Sequence, residues 1–529
     1  MAGSTLGLRR WEGFLLTRPT GGADVSEAQR QGALISIGWP TRFEKFVLAL
    51  MVAILLYQLI VPPTIGLANN GDFERFMGRL GLRHIVTEYS DKYFNYINRQ
   101  FAITDRNWWR SGYLSSENLF MEMALLLSQT LSKSGLFELE LLGVVHAGGL
   151  VLAVWLMLVA ARGLGSLTRL VVALLLVLIF TDVGYVAYLN SLYSEPASLI
   201  FLLLAVALLL LCTRSKEANP ALPLAYLLAA ALFVGAKPQN GLLGFPLAAV
   251  GICQVRHVQS WPWKRMVLTA CTALCVVSVV MFATTPTYQR GNQLYNVIFF
   301  EVLRNSPSPE QDLLELGLDA ELAEYAGTIS YMPESAINDA GFPVTFFASL
   351  GWSRVLRLYL RHPERLLDLA SRGARSAFSL RPDGLGNFEK AAGFEPRALS
   401  RAFDIWSEFK AQVVPGSLAF LLACLGLNLV LAVVCMRRDW RPWPPICRFP
   451  EVLLLLVIMS AMAFGTAVIG EGELDIVKHM FLFNVITDLI FVLDIAVLGE
   501  GIRQACRGRT RARTSEAILR RVVGEGADG

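Results

Sequence analysis

Apolar runs of about twenty residues recur from one end of this chain to the other, and that recurrence limits what it can fold into. A helix takes about 20 apolar residues to cross the hydrocarbon of a bilayer. By that measure spans are predicted near Glu44–Val61, Leu139–Ala161, Leu167–Tyr188, Pro196–Cys212, Ala221–Ala236, Gly241–Val255, Met266–Thr284, Val414–Cys435, Val452–Ile469 and Ile476–Leu498. Two of these are short, and Lys237-Pro238-Gln239 between them reads either as a turn or as a break in one longer irregular region. Lipid leaves backbone polar groups no outside partner, so only helices and closed barrels cross it. The alternating ten-residue strands of a barrel are absent. The expected class is therefore an all-α polytopic membrane protein with about ten transmembrane helices. Composition agrees: 54% of the 529 residues are hydrophobic and 17% charged, whereas a soluble domain carries about a quarter charged residues.

Where the charges fall sets the orientation. With the N-terminus inside, the cytosolic loops contain Arg162 and Arg169, Arg214 and Lys216, Arg256, Lys264 and Arg265, and Arg437, Arg438, Arg441 and Arg448. The tail adds Arg503, Arg507, Arg509, Arg511 and Arg513, while the short outer loops share one lysine, Lys237. This positive-inside bias places both termini in the cytosol. It divides the chain into a cytosolic tail (1–43), seven spans (44–285) interrupted by a first outer loop (62–138), a second outer loop (286–413), three more spans (414–499) and a basic cytosolic tail (500–529). No short apolar core with a cleavage site opens the chain, so no cleavable signal peptide is expected. None of the eight cysteines falls in the two large outer loops, which excludes a disulfide framework there. The scattered histidines give no zinc spacing.

The same orientation gathers every unusual polar cluster on the outer side. They are Asn69-Asn70-Gly71-Asp72-Phe73-Glu74-Arg75, Tyr193-Ser194-Glu195-Pro196, Lys237-Pro238-Gln239-Asn240, and Glu471-Gly472-Glu473-Leu474-Asp475 with Lys478-His479. Charges at membrane depth are costly and mark functional candidates. Asp72 and Glu74 are candidate acid–base groups with Arg75 beside them, against a plain turn with Asp as N-cap. Glu195 stands at a helix start, where the dipole alone would favour it. Lys237, beside Gln239, can grip a phosphate as a point charge or serve as a snorkelling anchor. Glu471, Lys478 and His479 can hold a metal ion or a leaving phosphate, or cap the last span. Tyr89, Tyr93, Phe94, Tyr96, Trp108, Trp109 and Tyr113 make the first loop aromatic, for stacking on sugars or for an interfacial belt. Ser116-Glu117 then opens an amphipathic segment to about Lys133, expected to lie along the interface with Ser as its N-cap.

In the second loop, Arg354, Arg357, Arg361, Arg365, Arg372 and Arg375 recur at helical spacing, opposed by Leu356, Leu360, Leu366 and Leu367. Pro363 predicts two helices joined at His362-Pro363. The basic stripe, Arg357 and Arg361 above all, reads as a binder of lipid phosphates or as a solvated face.

Together these residues describe an outward cavity with acids, a lysine, amides and rings, fed from the bilayer. The chain resembles the GT-C superfamily of integral-membrane glycosyltransferases. The likeness lies in Gly71-Asp72-Phe73-Glu74 in the first outer loop, the amphipathic helix after it, the multi-span bundle and the large later loop. It is most similar to bacterial members, hexosyltransferase-like, that build cell-surface glycans with hexoses or related sugars from polyprenyl-phosphate donors. The resemblance implies Asp72 as catalytic base, with Glu74, Arg75, Glu195, Lys237, Gln239, Arg357, Arg361, Glu471, Lys478 and His479 around the substrates. It also implies a polyprenyl-phosphate-linked sugar donor, a glycan or lipid-linked acceptor, membrane lipids as surroundings and a bacterial cytoplasmic membrane; no nucleic-acid partner is expected. The adjacent Asp-Glu pair of the protein-mannosyl branch is absent, because Phe73 separates the acids, and Trp108-Trp109 is followed by Arg110 rather than Asp. Dependence on Mg or Mn stays open. A flippase or transporter of lipid-linked sugars, or a non-catalytic membrane protein of glycan assembly, would explain the same clusters, but a transporter should spread its polar residues through the membrane depth.

Overall fold

A computed structural model describes residues 38–525, apart from 107–113, 133, 215–220, 257, 259, 340, 343–345, 347–350 and 437–448. The tail before residue 38, Trp108, Trp109, Arg110, Tyr113, Lys216, Cys447 and the loop arginines 437, 438, 441 and 448 lie outside the described residues.

Among the described residues, seven helices are long and apolar enough to cross a membrane. They are α1 (Arg42–Ile60), α4 (Leu139–Ala160), α7 (Glu195–Arg214), α10 (Trp261–Ala283), α15 (Leu418–Met436), α16 (Phe449–Glu471) and, after the short α17 (Ile476–His479), the first half of α18 (Phe481–Glu525). An eighth is broken: α5 (Ser166–Phe180) and α6 (Val183–Leu189) meet at 57°. Asp182 makes that bend by capping α6, its Oδ1 accepting from Gly184 N at 2.8 Å. The two remaining expected spans are helices of only 14 and 12 residues, α8 (Ala221–Val234) and α9 (Gly244–Val255). They are shorter than a straight crossing takes, and Pro238–Leu243 between them forms a tight turn of helix. Among the described residues the count is thus seven or eight by length and composition, where the sequence suggested about ten.

The first loop is not purely helical. After α2 (Glu74–Leu80), Gly81 turns the chain in the left-handed region at φ 68° and a short sheet begins. Strands β1 (Leu82–His84), β2 (Gln100–Ile103) and β3 (Leu136–Glu138) pair antiparallel in that order, with Leu82 opposite Ile103 and Phe101 opposite Phe137. Period-two burial over three or four residues is too short a signal to read beside helical runs of twenty.

The amphipathic segment is helix α3 (Glu117–Leu131). Phe120, Met121, Ala124 and Leu125 are buried, while Leu119, Met123 and Leu126 stand outward at i, i+4 and i+7. An apolar stripe on the open face of such a helix suits a lipid interface.

In the second loop, α11 (Pro309–Leu316) precedes α12 (Trp352–Arg361) and α13 (Pro363–Ser376), the expected pair with Pro363 opening the second helix. Their facing is the reverse of the reading above. Val355, Leu358, Tyr359 and Leu369 are buried, and Leu356, Leu360 and Leu367 point outward. The basic stripe folds back onto the chain: Arg354 donates to Leu316 O at 2.8 Å, Arg361 to Glu315 at 2.8 Å and Arg365 to Asp312 at 2.6 Å. Arg372 pairs with the buried Glu301 and with Asp368 and Glu473. The acidic helix α11 therefore claims three of the six arginines and Glu301 a fourth, and sequence periodicity cannot see a partner some fifty residues away.

Two contacts tie the loops to each other and to the bundle. The backbone from Gly66 to Ala68 pairs with Gly386 and Asn387, Ala68 N donating to Gly386 O at 2.9 Å and Asn387 Nδ2 to Gly66 O at 2.9 Å. Helix α14 (Ile405–Val413) is held by Asp488 of α18, which accepts from Lys410 Nζ at 2.7 Å, Trp406 Nε1 at 2.8 Å and the Tyr185 hydroxyl at 2.6 Å. Removing one member of so enclosed a knot leaves a buried charge or donor unpaired.

Candidate functional site

The stretch after α1 is shaped by its own asparagines. Asn69 Oδ1 accepts from Gly71 N at 2.7 Å and from Phe73 N at 3.2 Å, the side-chain turn that Asn favours. Gly71, at φ 104°, supplies the left-handed residue the turn requires. Phe73 is thereby driven inward, its ring edge-on to Tyr193 with centroids 4.8 Å apart. Tyr193 locks the same segment from behind: its hydroxyl donates to Ala68 O at 2.7 Å and accepts from Asn70 N at 3.0 Å.

Asp72 is left at the mouth of this turn, partly exposed. Arg75, one turn on, meets Oδ1 at 2.8 Å, and Lys478 meets Oδ2 from the far end of the sequence. Lys478 is buried, reaches Asn70 Oδ1 at 3.3 Å and lies 4.1 Å from the centroid of the Tyr193 ring, close enough for a cation–π attraction. Burial alone would raise the Asp72 pKa, but the charges of Arg75 and Lys478, and the hydrogen bond from Lys478, outweigh it and hold the carboxyl well below the usual carboxylate range.

The other clusters converge on this point. Glu195, the first residue of α7, pairs with Lys237 at 2.9 Å, so α7 and α8 meet at the same end of the bundle. Gln239 Nε2 donates to His479 O at 3.5 Å. Glu471 accepts from Gln293 at 2.7 Å and lies 3.7 Å from His479. Burial, reinforced by the nearby Lys237 and Lys478 charges, drives the His479 pKa far down, so its ring is neutral. Asp475, in the left-handed region at φ 48°, is joined to Asn70 Nδ2 at 3.4 Å. A small cleft opens between Asp72, Arg75, Phe76, Tyr193, Glu195 and Lys237. A larger cavity of about 340 Å³ near Tyr57, Ile65, Phe388 and Phe394 contains none of the candidate residues.

Of the residues singled out in the sequence, Asp72, Arg75, Glu195, Lys237, Gln239, Glu471, Lys478 and His479 are brought together. Three are not. Glu74 turns to the first loop, accepting from the Tyr93 hydroxyl at 2.8 Å and from Asn69, with His84 Nε2 at 3.1 Å; its work is to brace the turn behind Asp72. Arg361 is taken by Glu315, and Arg357 is exposed and makes no ion pair among the described residues. The reading of the sequence missed the roles of Asn70 and Tyr193, although Tyr193 stood inside a cluster already noted. It missed the buried Glu117–His146 pair altogether, because a lone His on an apolar helix gives no sign of its partner. Ser116 also departs from expectation: its hydroxyl does not cap α3 but donates to Leu232 O at 2.7 Å.

Among the described residues, no group of three or more His, Cys, Asp or Glu is gathered as a metal site. The arrangement offers a fixed anion between two cations, and a lysine–glutamate pair across the same cleft. No curated protein and no solved structure matches this chain. A family described as the YfdI N-terminal transmembrane domain matches residues 37–516, and the chain belongs to that family of membrane proteins.

Proposed function

We propose that this protein is a GT-C-type glycosyltransferase that moves a sugar from a polyprenyl-phosphate donor to a cell-surface glycan or lipid-linked acceptor on the extracytoplasmic side. The observation that carries the reading is the clamp of Arg75 and Lys478 on Asp72, facing Lys237 and Glu195 across one cleft. In the transfer, an acceptor hydroxyl oxygen attacks the anomeric carbon, the bond from that carbon to the phosphate oxygen breaks, and the phosphate leaves with the electron pair. Asp72 takes the hydroxyl proton as general base. Arg75, Lys237 and Lys478 stabilise the charge that grows on the phosphate.

The low basicity of Asp72 at rest fits this sequence of events. A donor phosphate competes for Lys478 and Arg75; as they turn to it, the carboxylate loses the charges that depress its pKa and becomes a stronger base with donor in place. A transporter of lipid-linked sugars would use polar groups spread through the membrane depth, whereas these clusters meet at one end of the bundle.

The test is the cell-surface glycan of a deletion strain complemented with wild type or with Asp72→Asn, beside sugar transfer by the purified proteins. Asp72→Asn should express and fold normally, bind donor and lose roughly 10²–10⁴-fold in turnover, the usual worth of a general base. Normal turnover by the folded variant would refute the assignment.

A further inference from the structure

Three consecutive residues at the start of α3 hold both backbone segments that carry the Glu195–Lys237 pair. Ser115 Oγ donates to Ala236 O at 2.6 Å, Ser116 N to Gly235 O at 2.8 Å and Ser116 Oγ to Leu232 O at 2.7 Å. These bonds fix the end of α8 immediately before Lys237. Glu117 Oε2 accepts from Ala197 N at 2.9 Å, two residues after Glu195. Its other oxygen lies 2.7 Å from His146 Nε2, and His146 Nδ1 lies 2.8 Å from Leu189 O. A carbonyl oxygen only accepts, so Nδ1 bears a hydrogen, and one further proton is held between Nε2 and Oε1. Both side chains are shut away from solvent.

We propose that Ser115, Ser116 and Glu117 are positioning residues that set the spacing of Glu195 and Lys237, and so the place where an anionic substrate group is held; this rests on the function proposed above. A buried charged or proton-sharing pair is a poor source of stability, since its desolvation offsets its attraction. What it does provide is direction: Glu117 is pinned by His146 on one side and pins the first turn of α7 on the other. Lysine has a long flexible stem, so its reach depends on where its backbone is anchored, and the serines anchor it. The clamp is also the buried end of a helix whose opposite face, through Leu119, Met123 and Leu126, is open and apolar. It therefore ties the site to an element made to lie against lipid.

The experiment has an arm that does not depend on sugar transfer. Acetylation of the intact protein in lipid nanodiscs, read by mass spectrometry, reports the reactivity of Lys237. Ser116→Ala and Glu117→Ala should each raise Lys237 acetylation several-fold, with turnover falling roughly ten- to a hundredfold, as small misplacements do. Added to Lys237→Ala they should cost nothing more, because they act through that lysine. Glu117→Gln, which can still accept from Ala197 N and donate to His146, should restore both readouts. Unchanged Lys237 reactivity in folded Ser116→Ala and Glu117→Ala, or losses that multiply with Lys237→Ala, would overturn the proposal. So would a Glu117→Ala protein that fails to fold while Ser116→Ala matches wild type in both measurements. If acetylation responds as expected but the wild type transfers no sugar, the clamp stands and the reading of the site as a glycosyltransferase falls.

Discussion

Lys478 and Asp72 are 406 positions apart in the sequence and form one ion pair, with the lysine seated over the Tyr193 ring. The pair joins the first loop to the short segment between α16 and α18, and together with Arg75 it holds down the pKa of the candidate base.

Lys478→Met should therefore move the acid limb of the kcat/KM profile, which reports the free enzyme, to higher pH. The wild-type carboxyl is held below its usual range by Arg75 and Lys478 against the opposing effect of burial. Without the lysine it takes up its proton at higher pH. Donor KM should rise in the same variant. A limb that stays in place would show that Asp72 does not set it.

The same depressed pKa links folding to pH. The unfolded chain binds the Asp72 proton first, so this carboxyl's contribution to stability is complete above the usual carboxylate range. It drains away as pH falls through that range toward the lower value of the folded state. Thermal unfolding of Asp72→Asn should lose that part of the acid dependence; an identical slope would remove Asp72 from the account.

Arg361→Gln should leave donor KM unchanged and cost less than about 1 kcal/mol, because its pair with Glu315 is solvent-exposed. A clear rise in donor KM would restore this arginine to the substrate.

Arg372→Met should be far more damaging, on the order of 3–5 kcal/mol, since it strips the partner from a buried carboxylate. Glu301 is 2% exposed and donates nothing; it depends on Arg372, on Asn305 and on the backbone N–H of Glu473. Asp368→Asn, whose side chain is exposed, serves as the mild comparison in thermal melts. Equal losses from both would contradict this ranking.

Cysteine labelling tests the orientation read from the arginines. A cysteine at Ser90 should react with an impermeant reagent from outside, and one at Thr510 only after the membrane is opened. Reaction at position 90 from the cytosolic side alone would invert the topology and move the site with it.

What was legible in the sequence follows from the range of the signal. Span length, the break at His362-Pro363 and the amphipathic α3 are written in neighbouring residues, and the structure has them. Eight of the eleven candidate residues meet because one physical rule, the cost of charge in lipid, had already sorted them to loops at one end. Two of the three misplaced ones were decided by distant partners. Arg361 was claimed by Glu315 and Glu74 by Tyr93 and His84, and the leucines of α12 and α13 faced outward because the acidic α11 packs on the inner side of α12 and the bundle on that of α13. The lengths of α8 and α9 were blurred by apolar residues that continue past the helix ends.

Asp475 has a consequence for anyone who tries to make this protein sturdier. It is a non-glycine residue in a left-handed backbone conformation, three residues before Lys478, and its side chain is tied to Asn70. Such a conformation costs about 1–3 kcal/mol when glycine would adopt it freely. A selection for heat resistance alone should therefore favour Asp475→Gly. The variant would gain melting temperature and give up the tether that keeps the two halves of the site in register. Robustness and activity pull against each other at this single position.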